Sequence, residues 1–275
     1  NAGSIIRAVK KASQSGAGLC VTAELALLGY PPRDLLLNKS FILAADKALQ
    51  RIAAGVKQYC PVLVGTAELN TTGIGRPLYN AAVMLNRGKI SGKVYKTLLP
   101  TYDVFDEDRY FEPGQRLEPI KINQSLVGIT VCEDIWNDKD FWPARRYHHD
   151  PVRYLARYKI DCLINLSASP FTVGKNQVRE RMLKNTARKY RIPILYVNQV
   201  GGNDDLIFDG RSCVFDRQGQ IIARAKSFQA DILIIDTAKI DTYKFSTETA
   251  PDEFVPESEI WRALVLGLHD YAAKT

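Results

Sequence analysis

Apolar residues recur along this chain with two different periods, and the two alternate. Residues 5–15, 39–56 and 175–191 carry them at helical spacing; in the second these are Phe41, Leu43, Ala44, Ala48, Ile52 and Ala53. Between these stand short apolar runs rich in β-branched residues, at 19–24, 61–65, 79–85, 89–96, 161–167 and 194–200, which predict strands. Asn86-Arg-Gly-Lys89 joins 79–85 to 89–96, and Arg217-Gln-Gly219 joins 212–216 to 220–225, so both read as hairpin turns. A shorter helix is predicted over 152–158, and 231–236 is expected to close the sheet system.

Hairpins and helical crossovers are thus mixed. A doubly wound sheet needs fewer hairpins, and a barrel wants a stricter repeat. The pattern predicts an α/β protein of two mixed sheets packed face to face with helices outside. The texture changes near residue 237: Ser246-Thr-Glu-Thr-Ala-Pro-Asp-Glu253 is polar and turn-rich, which predicts a linker over 241–256. Ile260, Leu264, Val265, Leu268 and Tyr271 then mark a helix over 258–273. Periodicity alone leaves two places for it, packed on the same domain or opening a second one.

At 275 residues and 46% hydrophobic, the chain can bury a large core. No apolar run is long enough to span a bilayer, and the start shows no signal-peptide pattern, so no membrane partner and a cytoplasmic location are expected. The five cysteines, Cys20, Cys60, Cys132, Cys162 and Cys213, are widely spaced with no Cys-x-x-Cys pair. That spacing argues against a disulfide framework or a zinc site and fits a reducing compartment. With three histidines, two of them adjacent at His148 and His149, no metal site and no Ser-His-Asp chemistry are expected. The net charge of +7 is dispersed, and no nucleic-acid motif accompanies it, so no nucleic-acid partner is expected.

Three predicted strands end in residues that bear chemistry. Leu19-Cys-Val-Thr-Ala-Glu24 ends in a carboxylate, Lys93-Val-Tyr-Lys96 in an ammonium, and the apolar run before Glu133 in the thiol of Cys132. Amide hydrolysis needs a nucleophile, a base that becomes the acid for the leaving nitrogen, and donors to the oxyanion. Cys132 can be the first and Glu24 the second, with Lys96 lowering the thiol pKa and meeting the developing charge. The Glu133 backbone N–H is the natural second oxyanion donor. Taken singly, each of these residues reads as inert core or a solvated strand end.

Longer motifs surround them. Ala23-Glu-Leu-Ala-Leu-Leu-Gly-Tyr-Pro-Pro-Arg-Asp-Leu-Leu36, the block Tyr95-Lys-Thr-Leu-Leu-Pro-Thr-Tyr-Asp-Val-Phe-Asp-Glu-Asp-Arg-Tyr-Phe111, Val131-Cys-Glu-Asp-Ile-Trp136 and Asn165-Leu-Ser-Ala-Ser-Pro-Phe171 resemble four blocks of the nitrilase superfamily. The form is that of the glutaminase domains of glutamine-dependent NAD synthetases. The resemblance implies an α-β-β-α sandwich over 1–240 that hydrolyses glutamine and passes ammonia to a synthetase domain of the same polypeptide. It implies no cofactor in this module; ATP, Mg and deamido-NAD belong to the synthetase domain. Carried over by motif, Glu24 is the base, Lys96 the oxyanion stabiliser, Cys132 the nucleophile and Glu107 a second, positioning glutamate. Tyr102, Glu133 and Ser169 hold the α-amino and α-carboxylate groups of glutamine, and Phe105 and Trp136 wall the pocket. Residues 257–275 resemble the first helix of the synthetase domain, whose pyrophosphate loop is not among these residues. A homo-oligomer is implied by resemblance only. The alternatives are a free-standing nitrilase-type amidase for another small amide, and a catalytically silent assembly module.

Overall fold

The computed structural model describes residues 1–242 and 254–274. A four-stranded sheet has the order β1 (Cys20–Val21), β2 (Val62–Leu69), β3 (Leu78–Asn86), β4 (Lys89–Tyr95). A six-stranded sheet runs β12 (Ile221–Arg224), β11 (Cys213–Phe215), β8 (Ile194–Asn198), β7 (Cys162–Ser167), β6 (Ser125–Val131), β5 (Ile120–Ile122). In each, parallel pairs stand beside hairpins: β1 with β2, β6 with β7 and β7 with β8 are parallel, and the remaining ladders are antiparallel. The mixture expected from the turn signals is present.

The central strands are buried on both faces, and alternation sorts their side chains into two cores. Val62, Val64, Ala81, Val83 and Leu85 face Ile5 and Val9 of α1 (Ala2–Gln14) and Leu49, Ile52 and Ala53 of α2 (Lys39–Gly55). Leu63, Ala82, Met84 and Val94 point the other way, into the core shared with Val127, Ile129 and Val131 of β6. That core continues through the second sheet to Val152 and Leu155 of α3 (Pro151–Ala156) and Met182, Leu183 and Ala187 of α4 (Lys175–Tyr190). The layers are therefore α, β, β, α.

Several local readings change. The strand expected over 19–24 is only two residues long: the ladder stops at Val21, and the chain turns after Glu24, where Leu25 has φ 46°. The run at 231–236 enters neither sheet; Leu233 and Ile235 pack beside Val214, Ile222, Ala223 and Ile240 along an inter-sheet cleft of ≈ 610 Å³. Leu233 and Ile235 are met by side-chain packing, without a ladder, and Ile234 stays exposed. A hairpin of β9 (Val200–Asn203) and β10 (Leu206–Asp209) stands apart from both sheets.

That hairpin receives the last helix, α5 (Pro256–Lys274). Asp270 accepts from the Gly202 N–H at 2.7 Å, and Lys274 donates to the Gly202 carbonyl at 2.6 Å. A Cβ at Gly202 would stand 3.0 Å from the Gly267 Cα, so glycine at 202 lets the hairpin and helix backbones meet, while a Cβ at Gly267 would meet the Ile207 side chain. Most of the linker expected over 241–256, residues 243–253, lies outside the described residues.

Candidate active site

Three elements end at one place. Glu24 follows β1, Lys96 follows β4 and Cys132 follows β6. Glu24 and Lys96 are fully buried, and Cys132 and Glu107 are 5% exposed. Lys96 Nζ lies 2.8 Å from Glu24 Oε1 and 2.8 Å from both oxygens of Glu107. Burial alone would lower the Lys96 ammonium, but Glu107 and then Glu24 hold its pKa well above the usual lysine range. It stays charged. Burial pushes the Glu107 carboxyl up while Lys96 pulls it back.

Cys132 opens a short 3-10 turn, Cys132–Ile135, with φ at 43°. A left-handed backbone at a strand end turns the residue out of the ladder, and burial of the surrounding turn stabilises that conformation. Asp134 pins the turn: its carboxylate accepts from Val131 N at 3.0 Å, Thr97 N at 3.0 Å and Leu98 N at 2.8 Å. One side chain thus ties the Cys132 turn to the segment after Lys96. The Cys132 carbonyl accepts from Asn165 Nδ2 at 3.4 Å. In the first turn of a helix the Glu133 amide has no acceptor within the helix, which leaves it available to an oxyanion.

Burial first, then Glu24, push the Cys132 thiol well above its usual range, and Lys96 opposes them without prevailing. Lys96 does lower the thiol pKa, as expected, but burial and Glu24 outweigh it, so the thiol is not activated at rest. The ammonium is already shared by two carboxylates, so its field at sulfur is largely cancelled. A neutral thiol needs a base, and Glu24 is the carboxylate whose charge acts on it most strongly.

The remaining expected residues fall in two groups. Tyr102 donates to Glu133 Oε1 at 2.8 Å, Phe105 meets the Tyr102 ring edge-on at 5.7 Å, and Ser169 is buried one residue beyond Ala168. Trp136 stacks on Trp142, with centroids 6.0 Å apart, beside the inter-sheet core.

Other residues escaped the sequence reading. Tyr30 donates to Glu107 Oε1 at 2.8 Å, and Asn80 Nδ2 donates to Glu24 Oε1 at 2.8 Å. The Ala168 N–H donates to Glu24 Oε2 at 2.9 Å. Tyr147 is a second hydroxyl on Glu133, and the Arg146 guanidinium lies 3.9 Å over the Tyr102 ring. Lys175, lowered by burial at the start of α4, lies close enough for its charge to be felt with that of Cys132. Tyr30 lay within a quoted motif; only its contact was invisible.

A sandwich of this architecture with a buried glutamate, lysine and cysteine at converging strand ends defines a carbon–nitrogen hydrolase. Residues 1–244 match the carbon-nitrogen hydrolase family, and the chain belongs to it. It is 41% identical to a glutamine-dependent NAD(+) synthetase of Synechocystis sp. over its whole length, covering 50% of that protein. It is 35% identical to the enzyme of the same name from Thermotoga maritima, over 98% of this chain and 50% of that one. Among solved structures, the glutamine-dependent NAD+ synthetase of Acinetobacter baumannii superposes with a TM-score of 0.84 at 32% identity, over 99% of this chain and 48% of that one. A carbon-nitrogen hydrolase of Helicobacter pylori shares the fold, with a TM-score of 0.67 at 24% identity over 88% of this chain and 84% of that one. The chain spans about half the length of the curated relatives it matches.

Proposed function

We propose that this chain is the glutamine amidohydrolase module of a glutamine-dependent NAD synthetase. The observation that carries the reading is the Lys96 ammonium, fixed 2.8 Å from both Glu24 and Glu107 and acting on the buried thiol of Cys132. Glu24 takes the thiol proton as Cys132 sulfur attacks the side-chain amide carbon of glutamine. The negative charge on the former carbonyl oxygen is met by Lys96 and the Glu133 N–H. Glu24 returns the proton to nitrogen, the C–N bond breaks, ammonia leaves, and a thioester remains. Glu24 then deprotonates a water that attacks the thioester, which yields glutamate and the free thiol.

Glu133, received by the hydroxyls of Tyr102 and Tyr147, suits the α-ammonium of the substrate. Because the Tyr102 proton is already given to Glu133, this hydroxyl can only accept from an ammonium. Ser169 and Lys175 are the groups that suit the α-carboxylate, with Phe105 and Trp136 at the walls.

Ammonia is used by a synthetase domain of the same polypeptide, which amidates deamido-NAD with ATP and Mg; this module needs no cofactor of its own. Residues 257–275 are the first helix of that domain. In support, α5 exposes Trp261, Leu264, Leu268 and Tyr271 in one apolar stripe that further protein would cover. No described helix is long and apolar enough to cross a membrane, and the five cysteines are free, which supports a cytoplasmic enzyme. Homo-oligomers built on the sandwich are part of the proposal.

The test is intact-mass spectrometry after incubation with 6-diazo-5-oxo-norleucine, a glutamine-shaped electrophile, followed by peptide mapping. The expected result is one adduct, on Cys132, suppressed by excess glutamine. Labelling that glutamine does not suppress would overturn glutamine as the substrate.

A further inference from the structure

Behind this site lies a buried charged cluster that the chemistry above leaves unused. Arg179 of α4 donates to both oxygens of Asp209, at 3.1 and 2.8 Å, and Arg211 Nη1 donates to Asp209 Oδ2 at 3.0 Å. Arg211 Nη2 pairs with Glu259 of α5. No side chain of the four is more than 4% exposed. Two guanidiniums and two carboxylates sum to zero where water does not reach, so removing one charge leaves another buried without compensation.

The cluster extends toward the site. Asp209 Oδ1 accepts from Asn198 Nδ2 at 3.2 Å, and the same Nδ2 donates to the Gly210 carbonyl at 3.0 Å. These bonds fix which way the Asn198 amide faces. Its oxygen accepts from the Ser169 N–H at 2.9 Å. The preceding amide, that of Ala168, is the one that donates to Glu24 Oε2. The peptide planes that carry these two N–H groups meet at the Ala168 Cα, so a change in the backbone angles there re-aims one against the other.

We propose that this cluster positions the glutaminase site: Glu259 on α5, acting through Arg211, Asp209 and Asn198, fixes the 168–169 backbone that holds Glu24 and presents Ser169. The proposal rests on the glutaminase reading and adds positioning residues to it. Without the Glu259 charge, Arg211 turns more fully to Asp209 and competes with Asn198 for that carboxylate. The Asn198 amide then loses its fixed orientation, and Glu24 its backbone donor. Glu259 touches neither the triad nor the residues assigned to glutamine, so its influence passes through the chain of contacts.

The experiment uses the full chain and measures kcat and KM for glutamine in Glu259→Gln, Glu259→Asp, Asn198→Ala and the double variant Glu259→Gln/Asn198→Ala. Glu180→Gln, which breaks an ion pair with Arg224 elsewhere, controls for simple loss of a salt bridge. Glu259→Gln is expected to lower kcat about tenfold with KM changed less than about threefold, the scale of coupling through a contiguous network. Glu259→Asp keeps the charge and recovers most of the loss. The double variant falls no further than Asn198→Ala alone, and Glu180→Gln retains wild-type kcat. Wild-type kcat in a folded Glu259→Gln, a loss equal to that of Glu180→Gln, or additive losses in the double variant would overturn the proposal. If Glu259→Gln does not fold, Arg211→Lys replaces it in the cycle with the same expectations. A wild-type chain without glutaminase activity removes the glutaminase reading and this proposal with it; an active one indifferent to Glu259→Gln removes only this one.

Discussion

Tyr30 donates its hydroxyl to Glu107 at 2.8 Å across 77 residues of sequence, and thereby braces the carboxylate that in turn braces Lys96. Both residues are buried, so no water can replace the bond if it is lost. Tyr30→Phe is expected to cost about 2 kcal/mol of stability, the worth of a hydrogen bond to a charged acceptor. It should also lower kcat for glutamine severalfold with little change in KM. Denaturant unfolding and steady-state kinetics check both, and a variant as stable as the wild type would contradict the bracing role.

Lys96 is the only positive charge bonded to Glu24 and Glu107 among the described residues. Lys96→Met leaves two carboxylates facing each other in a dry site. A loss of about 3–5 kcal/mol is expected, as for any buried pair broken on one side. Glutaminase activity should fall by about two to three orders of magnitude, the usual effect of removing one oxyanion donor. Retained stability with lost activity would show that one carboxyl takes up a proton when the ammonium goes.

The thiol of Cys132 is pushed up, so it rests protonated at neutral pH. A group with a raised pKa keeps its proton until the pH approaches that raised value. The ultraviolet absorbance of thiolate, taken as the difference between wild type and Cys132→Ser, should stay flat from about pH 6 to about pH 8. A thiolate step inside that window would mean that Lys96 prevails over burial.

Gly65 of β2 packs directly under the Glu24 turn: a Cβ there would lie 2.2 Å from the Ala23 carbonyl oxygen and 2.6 Å from the Leu25 nitrogen. Neither is the end of a flexible side chain, so the turn itself must move. Gly65→Ala is expected to destabilise by about 1–3 kcal/mol, the cost of overpacking. Activity at a temperature where the variant is folded should fall further than stability does. Full activity in the alanine variant would mean that the turn tolerates displacement.

Much of the fold was legible because the chemistry sits where a period breaks. Runs of β-branched residues ending in Glu24, Lys96 and Cys132 gave three converging strand ends, and turn residues at 86–89 and 217–219 gave the hairpins. The braces were not legible. Asn80 and Glu24 are 56 residues apart, and nothing in the alternation of β3 says which inward polar residue will meet which carboxylate. The apolar run at 231–236 misled because four consecutive apolar residues mark a segment that packs, while a ladder needs a free sheet edge as well. The β9 and β10 hairpin was missed because Gly201 and Gly202 interrupt its pattern; they are there to admit α5.

The backbone of Cys132, at φ 43°, also limits what could ever stand in its place. A β-branched side chain is strongly disfavoured at such an angle. Threonine, a competent nucleophile in other hydrolases, is therefore disfavoured at this position by stereochemistry, before reactivity is considered. Serine fits the turn but cannot match a thiol as attacking group. The angle that aims the thiol thus also narrows the set of nucleophiles this turn can carry.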